Sequence, residues 1–329
     1  MSAGQPVVLL TDRAWADDDI ERGVVEQAGF SLVAGPPDTD DPAVVEQLVA
    51  QHQPAAVLTC WAPVAAAAIA AAPQLRIVAR MGVGLDNIDV EAATSLGVLV
   101  TNVPDYCIPE VSDHAVGMVL AWTRGLLAAD RSVRAGRWNP AGAKLRRLGS
   151  LTVGVVGYGR IGQATAAKLA AFGARVLAAD PSPPTDPGPA EIMALDDLLA
   201  ASDVVVLHAP LTPATRGLIG TAQLERMRPG GLLVNVSRGG LVDTAALVAA
   251  LASGRLSGAA LDVLDSEPNV PPDLLAHEGV LVTPHVAFSS DVSLVELRRS
   301  AAEEVVRVLL GEPARHPRNE PALIATAPA

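Results

Sequence analysis

A run of small and apolar residues, Val153-Gly154-Val155-Val156, passes into Gly157-Tyr158-Gly159-Arg160-Ile161-Gly162, and this junction constrains the fold more than any other stretch of the chain. It is the spacing G-x-G-x-x-G entered from a buried strand. Gly157 permits the tight turn out of the strand and Gly159 lets backbone approach a pyrophosphate. Gly162 allows a following helix, over residues 163–172, to pack close with its N-terminus toward the phosphates. A second apolar run, 175–179, ends on Asp180. An acid 18 positions past Gly162 accepts both hydroxyls of an adenosine ribose and repels a 2′-phosphate, so the pattern predicts a dinucleotide site for NAD rather than NADP. Glycine-rich turns also occur as plain structural turns, and methyltransferase-type nucleotide sites are rivals. Strand, helix and terminal acid together favour the dinucleotide.

The flanking sequence repeats the same alternation. Short apolar runs at 6–10, 31–34, 55–59, 76–79 and 98–101 alternate with helix-like segments, which implies a parallel sheet covered by helices. After Asn102-Val103-Pro104 comes a helical stretch over 110–127, with Pro109 suited to its first turn. A second series at 152–156, 175–179, 204–208, 232–236, 258–261 and 280–283 predicts another sheet, the one that holds the cofactor. The last helix, over 294–310, is expected to return to the first domain before a Pro-rich tail.

Composition bounds the partners. With 329 residues, half of them apolar, the chain has enough material for two cores. Acidic residues outnumber basic ones 36 to 24, and the net charge of -12 disfavours a nucleic-acid or anionic-membrane surface. The one basic cluster, Lys144, Arg146 and Arg147, reads as a solvated loop. Cys60 and Cys107 have neither a metal-ligand spacing nor a disulfide framework. No signal peptide and no apolar span of membrane length is found. The expectation is a cytoplasmic protein with no metal, nucleic-acid or membrane partner.

Three polar residues fall at predicted carboxyl ends of strands in the second sheet, the edge at which open α/β sheets bind ligands. Arg238 closes Asn235-Val236-Ser237-Arg238, Glu267 precedes Pro268, and His285 follows Thr283-Pro284. Hydride transfer to a 2-keto acid needs a proton donor for the developing alkoxide, a cation for the carboxylate and carbonyl, and a group that orients the donor. His285, Arg238 and Glu267 suit these roles in that order. A carboxylate on one imidazole nitrogen fixes the tautomer and keeps the ring protonated for reduction. Taken singly, each residue is as easily a surface or salt-bridging group; the inference rests on their joint occurrence behind the glycine motif.

At this point the chain resembles the D-isomer-specific 2-hydroxyacid dehydrogenases, over about residues 55–312. The motifs are Met81-Gly82-Val83-Gly84-Leu85-Asp86-Asn87-Ile88-Asp89, Asn102-Val103-Pro104, the glycine fingerprint, His208-Ala209-Pro210-Leu211-Thr212, and the segments holding Arg238, Glu267 and His285. Asp113-His114-Ala115 and the segment 297–304 most resemble the C-terminal-binding-protein-like branch. The resemblance implies an α/β protein of two domains, a Rossmann-type NAD-binding domain (102–289) inserted into a flavodoxin-like substrate domain (1–101 and 290–329), and a homodimer built through the NAD-binding domain. It gives Arg238, Glu267 and His285 the catalytic roles. Backbone amides of Val83 and Gly84, with Arg80 beside them, grip the substrate carboxylate. Asp262 holds the nicotinamide carboxamide, and Ala209, Pro210, Thr215, Val236 and Ser237 make other cofactor contacts.

Departures from the family pattern lie in the substrate pocket. Cys60-Trp61 stands where a polar-aromatic pair is usual, Phe288 where a Trp is common, and Ile108-Pro109 where polar residues are usual. Trp61 and Phe288 are expected to meet across the cleft and favour apolar or aromatic substrates, although core packing is an equal reading of Trp61. The sequence therefore points to an NAD(H)-dependent oxidoreductase interconverting a 2-keto acid and its D-2-hydroxy acid. Rivals are a phosphoglycerate- or glyoxylate-type dehydrogenase and an NAD-sensing, corepressor-like binding protein.

Overall fold

Every apolar run named above is a strand in the computed structural model, which describes residues 5–142 and 145–321. Two units emerge, Met1–Tyr106 with Ser290–Ala329, and Cys107–Ser289. The family resemblance put the first boundary at 101/102. The five residues beyond it stay with the first unit because Val103 N–H donates to Gly82 O (3.1 Å) and Asn102 Nδ2 to Val83 O (2.5 Å).

In the first unit, β1 (Val7–Leu10), β2 (Ser31–Ala34), β3 (Ala56–Thr59), β4 (Ile77–Arg80) and β5 (Leu99–Thr101) form a parallel sheet in the order β2-β1-β3-β4-β5. This is the flavodoxin-like order. Strands β3 and β4 are buried throughout, as continuous apolar runs covered on both faces should be. Leu9, Val57, Val78 and Val100 pack on Val45, Val49 and Ile69. The helix Ser293–Leu309, expected over 294–310, packs on β3, β4 and the helix Asp19–Gln27. There Arg298 bonds Glu21 at 2.8 Å and Asp17 at 2.7 Å.

The second unit has β6 (Thr152–Val156), β7 (Arg175–Ala179), β8 (Ala190–Ile192), β9 (Val204–Leu207), β10 (Gly231–Asn235), β11 (Leu256–Leu261) and β12 (Val280–Val282). All are parallel, in the order β12-β11-β10-β9-β6-β7-β8. The crossover reverses between β6 and β9, the switch point at which doubly wound sheets take ligands. Strand β8 escapes the sequence pattern because Ala-Glu-Ile is too short to show a period. The helix expected over 110–127 is two helices, Ile108–Thr123 and Leu126–Arg134, broken at Gly125, whose φ of 58° is left-handed.

Of the basic cluster, Lys144 lies outside the described residues. Arg146 stacks 4.4 Å from the Trp122 ring centroid and donates to Gly230 O, which ties it to the fold. Both cysteines are buried free thiols. Among the described residues no helix is long and apolar enough to cross a membrane.

Candidate active site

The glycine motif bridges β6 and the helix Arg160–Ala171, which begins directly after Gly159. A Cβ on Gly157 would strike the backbone of His208 and Ala209, and one on Gly162 would strike the Gly157 carbonyl. At Gly159 nothing lies within 4 Å of the same position, so the ground before the helix N-terminus is clear for a phosphate. Asp180 directly follows β7, and its carboxylate meets the motif at Tyr158. That carboxylate accepts from Tyr158 N–H (2.6 Å) and Ser182 N–H (2.8 Å). The Tyr158 ring is turned inward, 1% exposed, with its hydroxyl donating to Pro187 O at 2.6 Å. Burial, with Asp186 nearby, pushes that phenol above its ordinary range. Toward the site Tyr158 therefore offers its backbone. Arg160 and Ile161 open the helix. These residues fit a dinucleotide whose ribose hydroxyls face Asp180.

Across the switch point, Ser237 Oγ donates to Ala209 O (2.6 Å) and Thr215 Oγ1 to Pro210 O (2.6 Å). These bonds fasten the two loops that carry the other expected cofactor contacts, and Val236 is buried at the end of β10. His208 follows β9, directly before Ala209. Its Nε2 is buried without a partner among the described residues, and burial pushes the ring down to about 4, so it is neutral at neutral pH.

The three polar residues lie at the carboxyl edge of this sheet, past β10, β11 and β12. His285 Nδ1 meets Glu267 Oε2 at 2.9 Å, and Glu267 Oε1 accepts from Leu264 N–H at 2.8 Å. Burial pushes the Glu267 carboxyl up, but the His285 hydrogen bond and charge, the Leu264 amide and the Arg238 charge outweigh it and hold the group below the ordinary carboxylate range. Glu267 is thus an anion at working pH. Arg238 is partly buried, with Nη1 donating to Ser237 O at 2.7 Å and its carbonyl bonded by Asn235 Nδ2. Glu267 thus engages the Nδ1 edge of the imidazole. The Phe288 ring lies edge-on to the imidazole, centroids 6.2 Å apart.

His285 has a φ of 51°, a left-handed conformation that costs a non-glycine residue about 1–3 kcal/mol. What holds it there is Asp262. The Asp262 carbonyl accepts from His285 N–H (2.8 Å), Oδ1 from Val286 N–H (3.0 Å) and Thr283 Oγ1 (2.5 Å), and Oδ2 from Ala287 N–H (2.9 Å). The side chain is only 1% exposed. One further residue joins this cluster, His114, with Nε2 at 3.0 Å from Thr283 Oγ1. Its motif is visible in the sequence, but its partner is 169 positions away and no local signal gives it a role.

In the first unit, Val83 and Gly84 follow β4, and neither amide has a hydrogen-bond partner among the described residues. Arg80 is buried beside them, donating to Asn87 Oδ1 (3.1 Å) and Met81 O. Trp61 stands on the loop after β3 and is 43% exposed, which removes the core-packing reading of its ring. Its amide, with those of Cys60 and Ala62, is bonded to the buried carboxylate of Asp12. The next-door Cys60 thiol is pushed up to about 12 by burial and is inert.

Comparison with known proteins identifies the family. The family described as D-isomer specific 2-hydroxyacid dehydrogenase, NAD binding domain, matches residues 116–287. A D-3-phosphoglycerate dehydrogenase of Mycobacterium leprae is 41% identical over 312 residues, 93% of this chain and 57% of that protein. The chain thus spans little more than half the length of such relatives. A glyoxylate reductase of Thermococcus onnurineus is 42% identical over 251 residues, 73% of this chain and 74% of that protein. Among solved structures, the D-lactate dehydrogenase of Aquifex aeolicus complexed with NAD and lactic acid superposes with a TM-score of 0.83 at 27% identity, covering 93% of this chain and 96% of that one.

Proposed function

Because this chain belongs to the D-isomer-specific 2-hydroxyacid dehydrogenase family, we propose that it is an NAD(H)-dependent enzyme interconverting a 2-keto acid and its D-2-hydroxy acid. The observation that carries the reading is the 2.9 Å pairing of His285 with Glu267, beside Arg238 and at the same sheet edge as the open glycine cradle. When bound, NADH supplies the hydride. Arg238 fixes the substrate carboxylate and polarises the carbonyl, and the proton that completes the alcohol leaves His285 Nε2. Glu267, anionic below the ordinary carboxylate range, offsets the imidazolium charge before transfer and sets the tautomer afterwards. Within the first unit, the amides of Val83 and Gly84, with Arg80 beside them, suit a carboxylate, and Asp180 selects NAD over NADP.

The finer assignment is a substrate with an apolar or aromatic side chain. It is supported by the exposed ring of Trp61 and by Phe288 against the catalytic imidazole. A second reading, a glyoxylate- or phosphoglycerate-type dehydrogenase, is favoured by the names of the 41–42% identical relatives. An NAD-sensing role, as in the C-terminal-binding-protein-like branch, would leave the His285–Glu267 pair without a purpose. The proposed assembly is a cytoplasmic homodimer formed through the second unit. There Leu126, Val133 and Trp138 (84% exposed) leave an apolar face on and just beyond the helix Leu126–Arg134.

Oxidation of NADH across a panel of 2-keto acids, by the parent and by His285→Ala, tests the reading. Turnover with bulky keto acids and loss of about 10²–10⁴-fold in the variant, with NADH still bound, are expected. Near-normal turnover in the variant, or equal use of NADH and NADPH by the parent, would contradict it.

A further inference from the structure

We infer that His114 is a positioning residue for His285, acting through Thr283 and Asp262. The inference rests on the assignment of His285 as proton donor. Thr283 has one hydroxyl hydrogen, and the 2.5 Å contact with the Asp262 carboxylate takes it, since an anionic oxygen only accepts. Thr283 Oγ1 must then accept at its 3.0 Å contact with His114, so His114 Nε2 carries a proton. The order is fixed from end to end: His114 Nε2–H to Thr283 Oγ1, Thr283 O–H to Asp262 Oδ1.

The far end of this chain of bonds is the loop that presents the catalytic imidazole. Asp262 Oδ1 also receives Val286 N–H and Oδ2 receives Ala287 N–H, while the Asp262 carbonyl receives His285 N–H. These bonds hold His285 at a φ of 51°, and each strengthens if its neighbours are kept in line. His114 is suited to keep them so. It lies on the helix Ile108–Thr123, whose neighbouring Asp113 pairs with Lys168 at 2.7 Å, while Lys168 also donates to Ser112 Oγ at 2.6 Å. The donor is therefore mounted on a helix fastened to the one that follows the glycine motif. His114 Nε2 also lies 3.7 Å from Asp262 Oδ1, on the same side of the cluster as Thr283.

Two substitutions separate the bond from the volume. The glutamine amide nitrogen is as many bonds from Cα as histidine Nε2, whereas the asparagine amide reaches only as far as Nδ1. His114→Gln therefore keeps a donor for Thr283 and His114→Asn removes it. In His114→Asn, kcat for keto-acid reduction should fall about tenfold, with the Kd for NADH, read by its fluorescence, moving less than about twofold; His114→Gln should recover most of kcat. Hydrogen exchange in the peptide 283–288, measured without substrate, should quicken in the asparagine variant and not in the glutamine one. Thr283→Val breaks the same relay from its middle, so it should quicken exchange alike, and the double variant with His114→Asn should be no worse than either single. Equal losses of kcat in the Asn and Gln variants, or exchange at 283–288 equal to the parent in both His114→Asn and Thr283→Val, would overturn the inference. A parent that reduces no keto acid would instead remove the proposed function, and the exchange measurement would still decide whether His114 holds the loop.

Discussion

The two units solve one problem in the same way and put the solution to different use. Each has a buried aspartate past the carboxyl end of a strand, Asp12 after β1 and Asp262 after β11, exposed by 1% and 2%. Each spends its carboxylate on the backbone of a loop from another strand of its sheet. Asp12 collects the amides of Cys60, Trp61 and Ala62 at 2.8, 2.6 and 3.1 Å, closed off by the hydroxyls of Thr11 and Thr59. Asp262 collects Val286, Ala287 and Thr283, and its network continues to His114. The loop under Asp12 displays an exposed apolar ring, and the loop under Asp262 displays the His285 imidazole in a left-handed conformation. Charge-assisted bonds to amides are the common device; one presents shape, the other chemistry.

Neutralising the two carboxylates in turn is the strongest way to break this comparison. In Asp262→Asn an amide group faces backbone N–H donors, the strained loop loses its hold, and kcat should fall by about 10²–10³-fold. Asp12→Asn makes the same local change, yet kcat should stay within about threefold while KM for bulky keto acids rises. Steady-state kinetics on both variants, with circular dichroism to show that each is folded, checks this. Comparable losses of kcat would mean that the two clamps do not differ in purpose.

Acid should separate the units next. Burial holds His208, in the second unit, at about 4, against an ordinary 6.5 in the unfolded chain. Between those values the unfolded state binds the proton and the folded state does not. Stability is therefore full above pH 6.5, declines as pH falls, and has lost about 3 kcal/mol by pH 4. Urea unfolding from pH 7 to 4 should show this slope in the parent and a flatter one in His208→Asn. The same slope in both would return the buried ring to its ordinary behaviour.

How far these features could be read in advance depends on sequence separation. The apolar strands of both sheets were legible because strands buried on both faces are continuous runs, and the fingerprint because its glycines answer steric needs within a dozen residues. Arg238, Glu267 and His285 were expected at strand ends, and they lie past β10, β11 and β12. Both clamps were illegible as clamps. Asp12 reaches amides 48 to 50 positions away and His114 a hydroxyl 169 away, and nothing local marks either as a partner. Asp262 was legible as a residue and not as the support of its loop. Gly125 divides a stretch whose apolar pattern runs on through it, so only the backbone reveals two helices.

Removing the charge of Glu267 sharpens the comparison, because only the second clamp presents a titrating group. Its carboxyl is held below the ordinary range, so the anion persists through the working range beside the imidazole. Without it, in Glu267→Gln, keto-acid reduction should decline with rising pH earlier than in the parent. Asp12→Asn should leave that profile where it was. A profile unmoved in Glu267→Gln would remove Glu267 from its role.

The smallest expected effect belongs to the ring that Asp12 displays. Trp61 is 43% exposed, so a substrate that covers it removes only the remaining apolar surface from water, and the ring stands on a loop whose three amides are already fixed. Trp61→Ala should therefore leave folding and kcat nearly untouched. It should raise KM for phenylpyruvate-like keto acids by roughly fivefold, about 1 kcal/mol, and that for pyruvate or glyoxylate much less. A substrate without a bulky group has no contact to lose. Measuring the ratio of kcat/KM for the large and small keto acids in parent and variant isolates this term, because any general loosening of the loop cancels in the ratio. If the ratio is unchanged, Trp61 faces solvent without touching substrate, the apolar-substrate assignment loses its support in the first unit, and the glyoxylate-type reading gains what it loses.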